Sequence, residues 1–381
     1  MRADLVVVGS GFYGLTIARQ AVEDLNLRVL IIERRNHIGG NAYSYFDEDL
    51  GIEVHKYGSH LFHTSNERIW EYVNRFTKFN NYVHRVYSVH NQQIFSMPIN
   101  LSTISQFYGR ALSPDQAQDL VEKASLEISN SPLENLENKA ISLIGRPLYE
   151  AFIKGYTQKQ WETDPSNLSS EIISRLPVRY SFDNRYFSDK YEGLPLDGYK
   201  AWIERMADHP NIEIEFNSDF LKHKSDYLRN IPVVYTGAID SYFEYEHGEL
   251  NWRTLDFETE KLETDDFQGT SVVNFADLDV PYTRIHEYKH LHPERSYSKI
   301  GTIISREYSR MASRSDEPYY PVNLEKDREI LGIYKQLSKQ ESDVWFGGRL
   351  GSYKYLDMHM AIGAALTLFE NEIKPFFRKK P

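Results

Sequence analysis

The sequence predicts an α/β fold, α+β overall, and three patterns support this prediction. A short β-branched run, a glycine-rich turn and a helix open the chain, and a second apolar run follows at once. Residues 102–161 carry helical signals without intervening strands. Residues 171–194 and 252–310 alternate aromatic, β-branched and arginine residues with period two, which is typical of antiparallel strands.

The first 35 residues predict a βαβ unit. Leu5–Val8 and Arg28–Ile32 have the composition of buried parallel strands, and Leu15–Asp24 between them has that of a helix. The turn between the first strand and the helix reads Gly-Ser-Gly-Phe-Tyr-Gly at 9–14. This unit is typical of a Rossmann-like domain that starts almost at residue 1.

Each glycine of this turn has a physical purpose in dinucleotide binding. Gly9 permits the tight turn, Gly11 lets a pyrophosphate approach the backbone, and Gly14 lets the helix pack on the strand. Glu33 ends the second strand 19 residues after Gly14, where an acid can bind a ribose. We expect a dinucleotide here, and the alternative is an ordinary glycine-rich turn.

Capping signals divide the helical region. Ser113-Pro114 and Ser131-Pro132 each combine a hydroxyl cap with a proline at the first helical position, and they predict helices that start there. Gly145 is expected to end a helix over Leu136–Ile144, and Pro147 to open a third one. Near the end of the chain, Val344–Phe346 is a predicted strand and Asp357–Ile373 a predicted long helix.

Composition excludes several classes of protein. The 381 residues include no cysteine, so disulfides, thiolate metal centres and thiol nucleophiles are excluded. The net charge of −11 argues against nucleic acid or an anionic membrane as a partner. The apolar run 360–369 is too short to span a bilayer, and the amino terminus lacks a signal peptide. We therefore expect a cytoplasmic protein.

Further glycine turns favour FAD over NAD as the dinucleotide. Gly39-Gly40-Asn41 follows Glu33 closely, which resembles FAD-dependent oxidoreductases of the amine-oxidase-like group, and Tyr235-Thr236-Gly237 resembles the strand end that returns to the cofactor there. Gly347-Gly348-Arg349 precedes a helix that starts at Asp357 and could stabilise a reduced flavin anion, although Asp357 could equally be a simple N-cap. No second GxGxxG is present, so we expect no dedicated NAD(P)H domain.

Arginine and tyrosine recur together and predict a pocket for a phosphorylated ligand. The alternative for each group is a solvated strand face. The groups are Arg175, Arg179 and Arg185 with Tyr180, Tyr186 and Tyr191; Tyr282, Arg284, His286 and Tyr288; and Arg306, Tyr308 and Arg310.

Aromatic and histidine residues add two further expectations. Phe152 and Tyr156 lie four apart on a predicted helix, so they could clamp a planar base or form a core pair; Trp161 is equally ambiguous. The histidines lack the spacing of metal ligands, so we expect no metal, and His60 is interpreted as a polar group near the flavin.

Taken together, these stretches resemble the bacterial-type UDP-galactopyranose mutases. The resemblance spans nearly the whole chain through GSGFYG at 9–14, ERRNHIGGNAYS at 33–44, GIEVHKYGSHLFHT at 51–64, GRPLYEAFIKGYTQKQW at 145–161, RLPVRYSFDNRYFSD at 175–189, DVPYTRIHE at 279–287, EPYYP at 317–321 and GRLGSYKYLDMHMA at 348–361. It implies a Rossmann-like FAD-binding domain formed by 1–75, 195–245 and 318–381. It also implies a helical subdomain over 100–170, and an antiparallel β-sheet domain formed by 76–99, 171–194 and 246–317.

The resemblance also implies roles for individual residues. Those expected to hold FAD are Gly9, Gly11, Phe12, Gly14, Glu33, Arg34, Gly40, Asn41, His60, Gly237, Arg349, Leu356, Asp357 and Met358. Those expected to bind the nucleotide sugar are Phe152, Tyr156, Thr157, Trp161, Arg175, Tyr186, Asn274, Arg284, Tyr319 and Tyr355. The expected catalytic residues are Arg175 on a mobile loop, Arg284 across the diphosphate, Tyr319, Tyr355 and His60.

The implied reaction interconverts UDP-galactopyranose and UDP-galactofuranose without net redox change. Reduced FAD would attack the anomeric carbon through N5, UDP would leave, and the opened sugar would reclose as a furanose and recapture UDP. A reductant such as NAD(P)H would prime the flavin, and a homodimer is expected. Two alternatives remain, namely a flavin amine oxidase or desaturase, and a non-enzymatic binding protein with this fold, like the guanine-nucleotide dissociation inhibitors.

Overall fold

In a computed structural model, the chain is described over residues 3–173, 177–228 and 231–379. The strands are β1 (Leu5–Val8), β2 (Val29–Ile32), β3 (Ser44–Phe46), β4 (Glu53–His55), β5 (Phe62–Thr64), β6 (Val86–His90), β7 (Gln93–Met97), β8 (Tyr191–Gly193), β9 (Ile212–Glu215), β10 (Val233–Tyr235), β11 (Trp252–Leu262), β12 (Val272–Phe275), β13 (Arg284–Glu287), β14 (Thr302–Met311), β15 (Tyr320–Pro321) and β16 (Val344–Phe346). The helices are α1 (Phe12–Leu25), α2 (Glu67–Val73), α3 (Leu101–Phe107), α4 (Pro114–Ser125), α5 (Leu136–Tyr149), α6 (Gly155–Trp161), α7 (Gly198–Ala207), α8 (Lys224–Leu228), α9 (Ile239–Tyr242), α10 (Glu325–Ser338), α11 (Gly348–Ser352), α12 (Met358–Leu368) and α13 (Lys374–Lys379). Turns of π-helix cover Glu150–Lys154 and Phe369–Ile373.

A parallel sheet with the strand order β16-β10-β1-β2-β9 forms the centre of the molecule. The predicted strands at 5–8 and 344–346 are confirmed, and the second strand starts one residue later than predicted, at Val29. The chain leaves β1 towards β2 on one side and returns as β10 on the other. A ligand crevice is expected where the direction of winding changes in this way.

The main apolar core lies between this sheet and its covering helices. Helix α1 packs against α7 and α12. Leu15 and Ile17 of α1, Trp202 of α7 and Ile362 of α12 are all fully buried. Burial of each such side chain contributes roughly 1.5–3 kcal/mol, so this core holds the glycine turn rigidly at the start of α1.

A second sheet has the order β15-β11-β14-β13-β12-β6-β7 and is antiparallel except between β12 and β6. It confirms the strands predicted within 252–310. The strands predicted over 171–194 are wrong for the described residues, apart from β8. Between 177 and 190, side chains bond to nearby backbone instead: Arg179 donates to the carbonyl of Asp183, whose carboxylate accepts from the amide of Arg185.

Helices α4 and α5 confirm one capping prediction and correct another. Ser113 forms a capping box with Gln116 at the start of α4. Ser131 opens no helix, because Asn135 caps α5 by accepting from the amide of Asn138. Gly145 breaks the helix with φ 74° and ψ 158°, so the helical geometry ends and restarts there, as the sequence predicted.

The long helix predicted over Asp357–Ile373 starts one residue later, as α12. A π-helical turn at Phe369–Ile373 then interrupts the α-helical pattern, which resumes as α13. None of the helices in the described part of the chain has both the length and the apolar character needed to cross a membrane. The boundaries of the discontinuous domains stay a prediction.

Candidate active site

The glycine turn before α1 leaves one open position. A Cβ on Gly9, whose φ is +97°, would lie 2.3 Å from Oγ1 of Thr236, and a Cβ on Gly14 would lie 2.1 Å from the carbonyl oxygen of Gly9. Both glycines are therefore required by the packing of the chain itself. A Cβ on Gly11 would meet no atom within 4 Å. The second glycine of the motif thus borders empty space that a ligand can fill.

This space is a cavity of about 530 Å³ beside the first turn of α1. Gly11 is the N-cap residue of this 14-residue helix and offers no capping side chain, so the first amide groups are open to a ligand. The positive end of the helix dipole lies at the same place and favours an anion such as a pyrophosphate.

Residues from distant parts of the sequence line this cavity, and most of those predicted to hold the cofactor are among them. Those predicted residues are Gly9, Gly11, Phe12, Gly14, Glu33, Arg34, Gly40, Asn41, His60, Gly237, Arg349, Leu356 and Met358. Asp357 does not line the cavity. It is the N-cap residue of α12, and its carboxylate interacts with the hydroxyl of Tyr355.

Glu33 is held rigidly at the end of β2. Its carboxylate accepts from the amide of Ser10 at 2.9 Å, from the hydroxyl of Ser10 at 2.6 Å and from the amide of Arg35 at 2.9 Å. Its side chain is buried but borders the cavity. The acid predicted to bind a ribose is therefore oriented before any ligand arrives.

A charged network at the cavity wall was not predicted from the sequence. Glu317 accepts from Arg35 at 2.6 Å and from Arg34 at 2.9 Å, and Arg35 also donates to Oδ1 of Asn41 at 2.7 Å. Although burial opposes its charge, Glu317 holds the pKa of Arg35 above its ordinary value. The adjacent arginines and the EPYYP segment are the signals in the sequence, but 282 residues separate Arg35 from Glu317.

Arg284 is the centre of a second group of polar side chains. Its Nε lies 3.3 Å from Oε1 of Glu307, and a terminal nitrogen donates to the hydroxyl of Tyr156. His286 reaches the other oxygen of Glu307 at 3.0 Å, and Ser59 bonds to Nδ1 of His286 at 2.8 Å. A continuous chain of hydrogen-bonded and ionic contacts thus connects the loop before His60 to Arg284.

Electrostatics keep this group charged despite burial. Burial disfavours both charges, but the attraction of Arg284 and the bond from His286 lower the pKa of Glu307. Glu307 in turn holds the pKa of Arg284 well above its ordinary value. Burial lowers the pKa of His60 to about 4, so this imidazole is neutral at physiological pH.

The two tyrosines of the EPYYP segment have different surroundings. Tyr319, the predicted one, is 4% exposed, and its ring lies 6.3 Å from that of Phe257. Tyr320 stacks on Tyr355 with the ring centroids 5.7 Å apart, and its hydroxyl interacts electrostatically with Arg284. Successive residues of an extended segment point to opposite sides, and the sequence alone does not show which of the two tyrosines faces Arg284, so Tyr320 was not predicted.

The remaining predicted substrate residues fall into two groups. Tyr156, Tyr186 and Asn274 lie near Arg284: Tyr186 is 45% exposed, and Asn274 pairs opposite Arg284 in the sheet with its buried Oδ1 lacking a hydrogen-bond partner. Phe152 and Thr157 are buried, and Trp161 packs at the edge of the apolar cluster that contains Phe152. Arg175 lies outside the described residues.

The structure separates the predicted pair Phe152 and Tyr156. The Phe152 ring is 3% exposed and packs against Phe95 at 4.9 Å and Phe107 at 5.7 Å. The hydroxyl of Tyr156 reaches Arg284 instead. The π-helical turn at Glu150–Lys154 changes the register between the two residues, which four-residue spacing in an α-helix does not anticipate.

One further predicted group lies on an exposed part of the large sheet. Arg306, Tyr308 and Arg310 pair with Glu260, Glu258 and Asp256 on the neighbouring strand β11, so the solvated-face alternative describes them. Two clusters in the described part of the chain bring possible metal ligands within 4.8 Å of one another: His63, Asp357 and His359; and Asp266, Glu287 and His290.

Comparisons with known proteins identify the family. A model of UDP-galactopyranose mutase matches residues 151–355, and one of the NAD(P)-binding Rossmann-like domain matches residues 7–76. A Klebsiella pneumoniae protein named "Probable UDP-galactopyranose mutase" is 44% identical over 95% of this chain and 93% of its own length. The chain belongs to the UDP-galactopyranose mutase family.

Other relatives add two facts. An Escherichia coli protein named dTDP-fucopyranose mutase is 41% identical over 97% of this chain and 98% of its own. A crystal structure of reduced UDP-galactopyranose mutase has a TM-score of 0.73 at 12% identity, covering 98% of this chain and 94% of the other, which confirms the fold. Family membership confirms the predicted enzyme class, an isomerase with a flavoprotein-like dinucleotide-binding fold.

Proposed function

We propose that this protein interconverts UDP-galactopyranose and UDP-galactofuranose with FAD in its reduced form, without net redox change. Family membership supports the reaction. The observation that supports the proposal most strongly is that the cavity beside α1 adjoins the polar cluster around Arg284. A cavity shaped for a dinucleotide and a cluster shaped for a diphosphate meet at the segment 58–60 and at Arg349.

The cavity fits FAD on grounds internal to the structure. The open space beside Gly11 and the unpaired amides of α1 suit the pyrophosphate, and the preoriented carboxylate of Glu33 suits the adenosine ribose. Arg349, Leu356 and Met358 line the part of the cavity that we assign to the flavin ring. When bound and reduced, the flavin supplies a nucleophile for covalent catalysis.

His60 contributes a neutral acceptor to this site. Its Nδ1 lies 2.8 Å from the carbonyl oxygen of Gly58, which can only accept, so Nδ1 carries the proton. Because burial lowers the pKa of the ring to about 4, Nε2 is then left unprotonated. We propose that this nitrogen accepts a hydrogen bond from the flavin or the sugar.

The residues around Arg284 would bind the diphosphate of the substrate. A guanidinium fork can contact two phosphate oxygens, and the hydroxyls of Tyr320 and Tyr355 can donate to others. The predicted role of Tyr319 stays a proposal beside that of Tyr320. The predicted roles of Arg175, Phe152 and Tyr156 in substrate binding also stay proposals, although the last two do not face each other as a clamp. These groups would stabilise UDP as it leaves and hold it for its return.

The direct test uses the purified protein and UDP-galactose. The protein should be yellow, and the flavin released by heat should be FAD by chromatography. After reduction with dithionite, incubation with UDP-galactose should yield a second UDP-sugar, resolved by high-performance liquid chromatography. Equal activity of the oxidised protein, or stoichiometric oxygen consumption as in an amine oxidase, would refute the proposal, and a colourless protein would favour a binding function.

A second candidate substrate is dTDP-fucopyranose. The relative with this activity in its name is almost as similar as the Klebsiella protein, at 41% against 44% identity, and it matches more of the chain. The same reduced protein should therefore be assayed with both nucleotide sugars at equal concentration. A kcat/KM higher for dTDP-fucopyranose would reassign the substrate while leaving the chemistry unchanged.

The proposal includes three features that the family resemblance supports. NAD(P)H would reduce the flavin without a dedicated domain, the protein would be a homodimer, and it would act in the cytoplasm. Stopped-flow reduction by NADPH and NADH, light scattering coupled to gel filtration, and cell fractionation test them in turn.

A further inference from the structure

The ammonium group of Lys159 is surrounded by main-chain oxygens. Its Nζ lies 2.7 Å from the carbonyl of Phe275, 2.9 Å from those of Asp277 and Val280, and 3.0 Å from that of Tyr282. An ammonium has three protons, so these four acceptors saturate it. The positive charge of Lys159 therefore interacts with the dipoles of these four carbonyl groups. Such contacts fix the path of the backbone that carries them.

All four carbonyls belong to the connection between β12 and β13. Phe275 is the last residue of β12, and Tyr282 precedes Arg284, the first residue of β13, by two positions. Lys159 therefore binds both ends of this connection. The four carbonyl oxygens that contact Lys159 belong to the segment of backbone that leads directly into Arg284.

Other contacts fix the same connection from two sides. A Cβ on Gly155 would lie 2.3 Å from the carbonyl oxygen of Ala276, so the loop runs against the first residue of α6. On the far side, the carboxylate of Asp277 lies 2.5 Å from Nδ1 of His90 and accepts from the amide of Asn91 at 2.8 Å. The connection is therefore held between α6 and the turn that joins β6 to β7.

Helix α6 reaches β13 a second time through Tyr156. Residues three apart share a helix face, so Tyr156 and Lys159 both point to the sheet, and the hydroxyl of Tyr156 accepts from Arg284. Burial lowers the pKa of Lys159 to about 8, although the negative charges of Asp277 and Asp279 act to raise it. Burial of the Lys159 ammonium therefore costs desolvation free energy, which a solvent-exposed lysine would not lose.

We propose that Lys159 is a positioning residue, which holds the β12–β13 connection on α6 and so places the guanidinium of Arg284 for the diphosphate. This inference rests on the proposed function of Arg284. Lys159 itself touches neither the proposed diphosphate site nor the cofactor cavity.

The test compares Lys159→Met with wild type. Methionine keeps the apolar stem and removes the charge. We expect FAD content to be unchanged, the Kd for UDP to rise about 10-fold, and kcat/KM to fall about 100-fold because Arg284 is displaced. Lys123→Met, which removes an exposed lysine of the same subdomain, is the matched control and should leave all three values unchanged.

A second variant separates positioning from folding. In Lys159→Ala the oxygens lose their cation, so ethylammonium chloride should restore UDP affinity and activity, whereas tetramethylammonium chloride at equal ionic strength should not. Wild-type UDP affinity in Lys159→Met would overturn the inference while leaving the proposed function intact. Loss of flavin and unfolding in both variants, without rescue, would also overturn it, because Lys159 would then serve folding alone. A wild-type protein that neither binds UDP nor turns over UDP-galactose would instead refute the proposed function.

Discussion

Replacement of Gly11 by alanine should separate folding from cofactor binding. Gly11 has φ −72° and ψ 175°, an extended conformation that any residue adopts, and its added Cβ would meet no atom within 4 Å. The flavin-free variant should therefore fold with its free energy of unfolding changed by less than about 1 kcal/mol, because alanine restricts the unfolded chain but is a poorer N-cap residue than glycine. The same methyl group enters the space assigned to the pyrophosphate. Overpacking of this kind costs about 1–3 kcal/mol, which corresponds to FAD binding weakened about 5- to 150-fold.

The assay has two readouts and a matched control. Thermal unfolding of the flavin-free protein by circular dichroism gives the stability, and quenching of flavin fluorescence gives the Kd for FAD. Gly14→Ala is the control, because its Cβ would lie 2.1 Å from a backbone oxygen and 3.0 Å from Cγ1 of Val7, so this variant should lose stability. Wild-type FAD affinity in Gly11→Ala would show that the pyrophosphate does not pass over Gly11.

Three further predictions concern the substrate site and pH. Arg284→Lys should keep FAD but lower kcat/KM about 100-fold, since one ammonium cannot replace a guanidinium fork; a normal rate in the chromatographic assay would contradict this. Tyr320→Phe should weaken UDP binding by about 1–2 kcal/mol and more than Tyr319→Phe does, and the reverse order in calorimetry would restore Tyr319 as the ligand. Burial holds His55 and His84 neutral with pKa values lowered to about 3, whereas the unfolded chain takes up these protons below about pH 6.5. The free energy of unfolding should therefore fall between pH 6.5 and 4, by up to about 1.4 kcal/mol per pH unit for each histidine. When this free energy is measured by urea unfolding at several pH values, it should depend less steeply on pH in His84→Gln than in wild type.

Features encoded by adjacent residues were predictable from the sequence. The glycine turn at 9–14 specifies its own backbone path, and Gly145 breaks its helix through its own φ value. The capping box of Ser113 needs only Gln116, three residues away. In each case the forces that decide the conformation act within one turn of chain, so the local pattern sufficed.

Features that depend on long-range register were not predictable in the same way. Tyr319 and Tyr320 are adjacent and chemically equal, and only the pairing of β15 with β11 decides which of them faces Arg284. Glu317 meets Arg35 across 282 residues of sequence. The carbonyl groups around Lys159 could not be predicted from the sequence, because every residue has a carbonyl group and the path of the loop decides which of them meet. Apart from β8, the strands predicted over 171–194 are wrong for the described residues for a related reason, since Phe187 stacks on His63 at 3.7 Å instead of extending a sheet.

Arg284 and Arg349 differ in whether a carboxylate neutralises them. The charge of Arg284 is matched by that of Glu307 within 3.3 Å, so the pair is close to neutral before a ligand arrives. Arg349 differs, because its guanidinium bonds to the carbonyl oxygens of Tyr319 at 3.2 Å and Leu356 at 2.7 Å and lies 4.8 Å from the ring centroid of Tyr355. Carbonyl partners orient a guanidinium without cancelling its charge. Among the described residues no carboxylate forms an ion pair with Arg349, so its charge stays available where the cofactor cavity meets Tyr355, while Arg284 contributes directed hydrogen bonds.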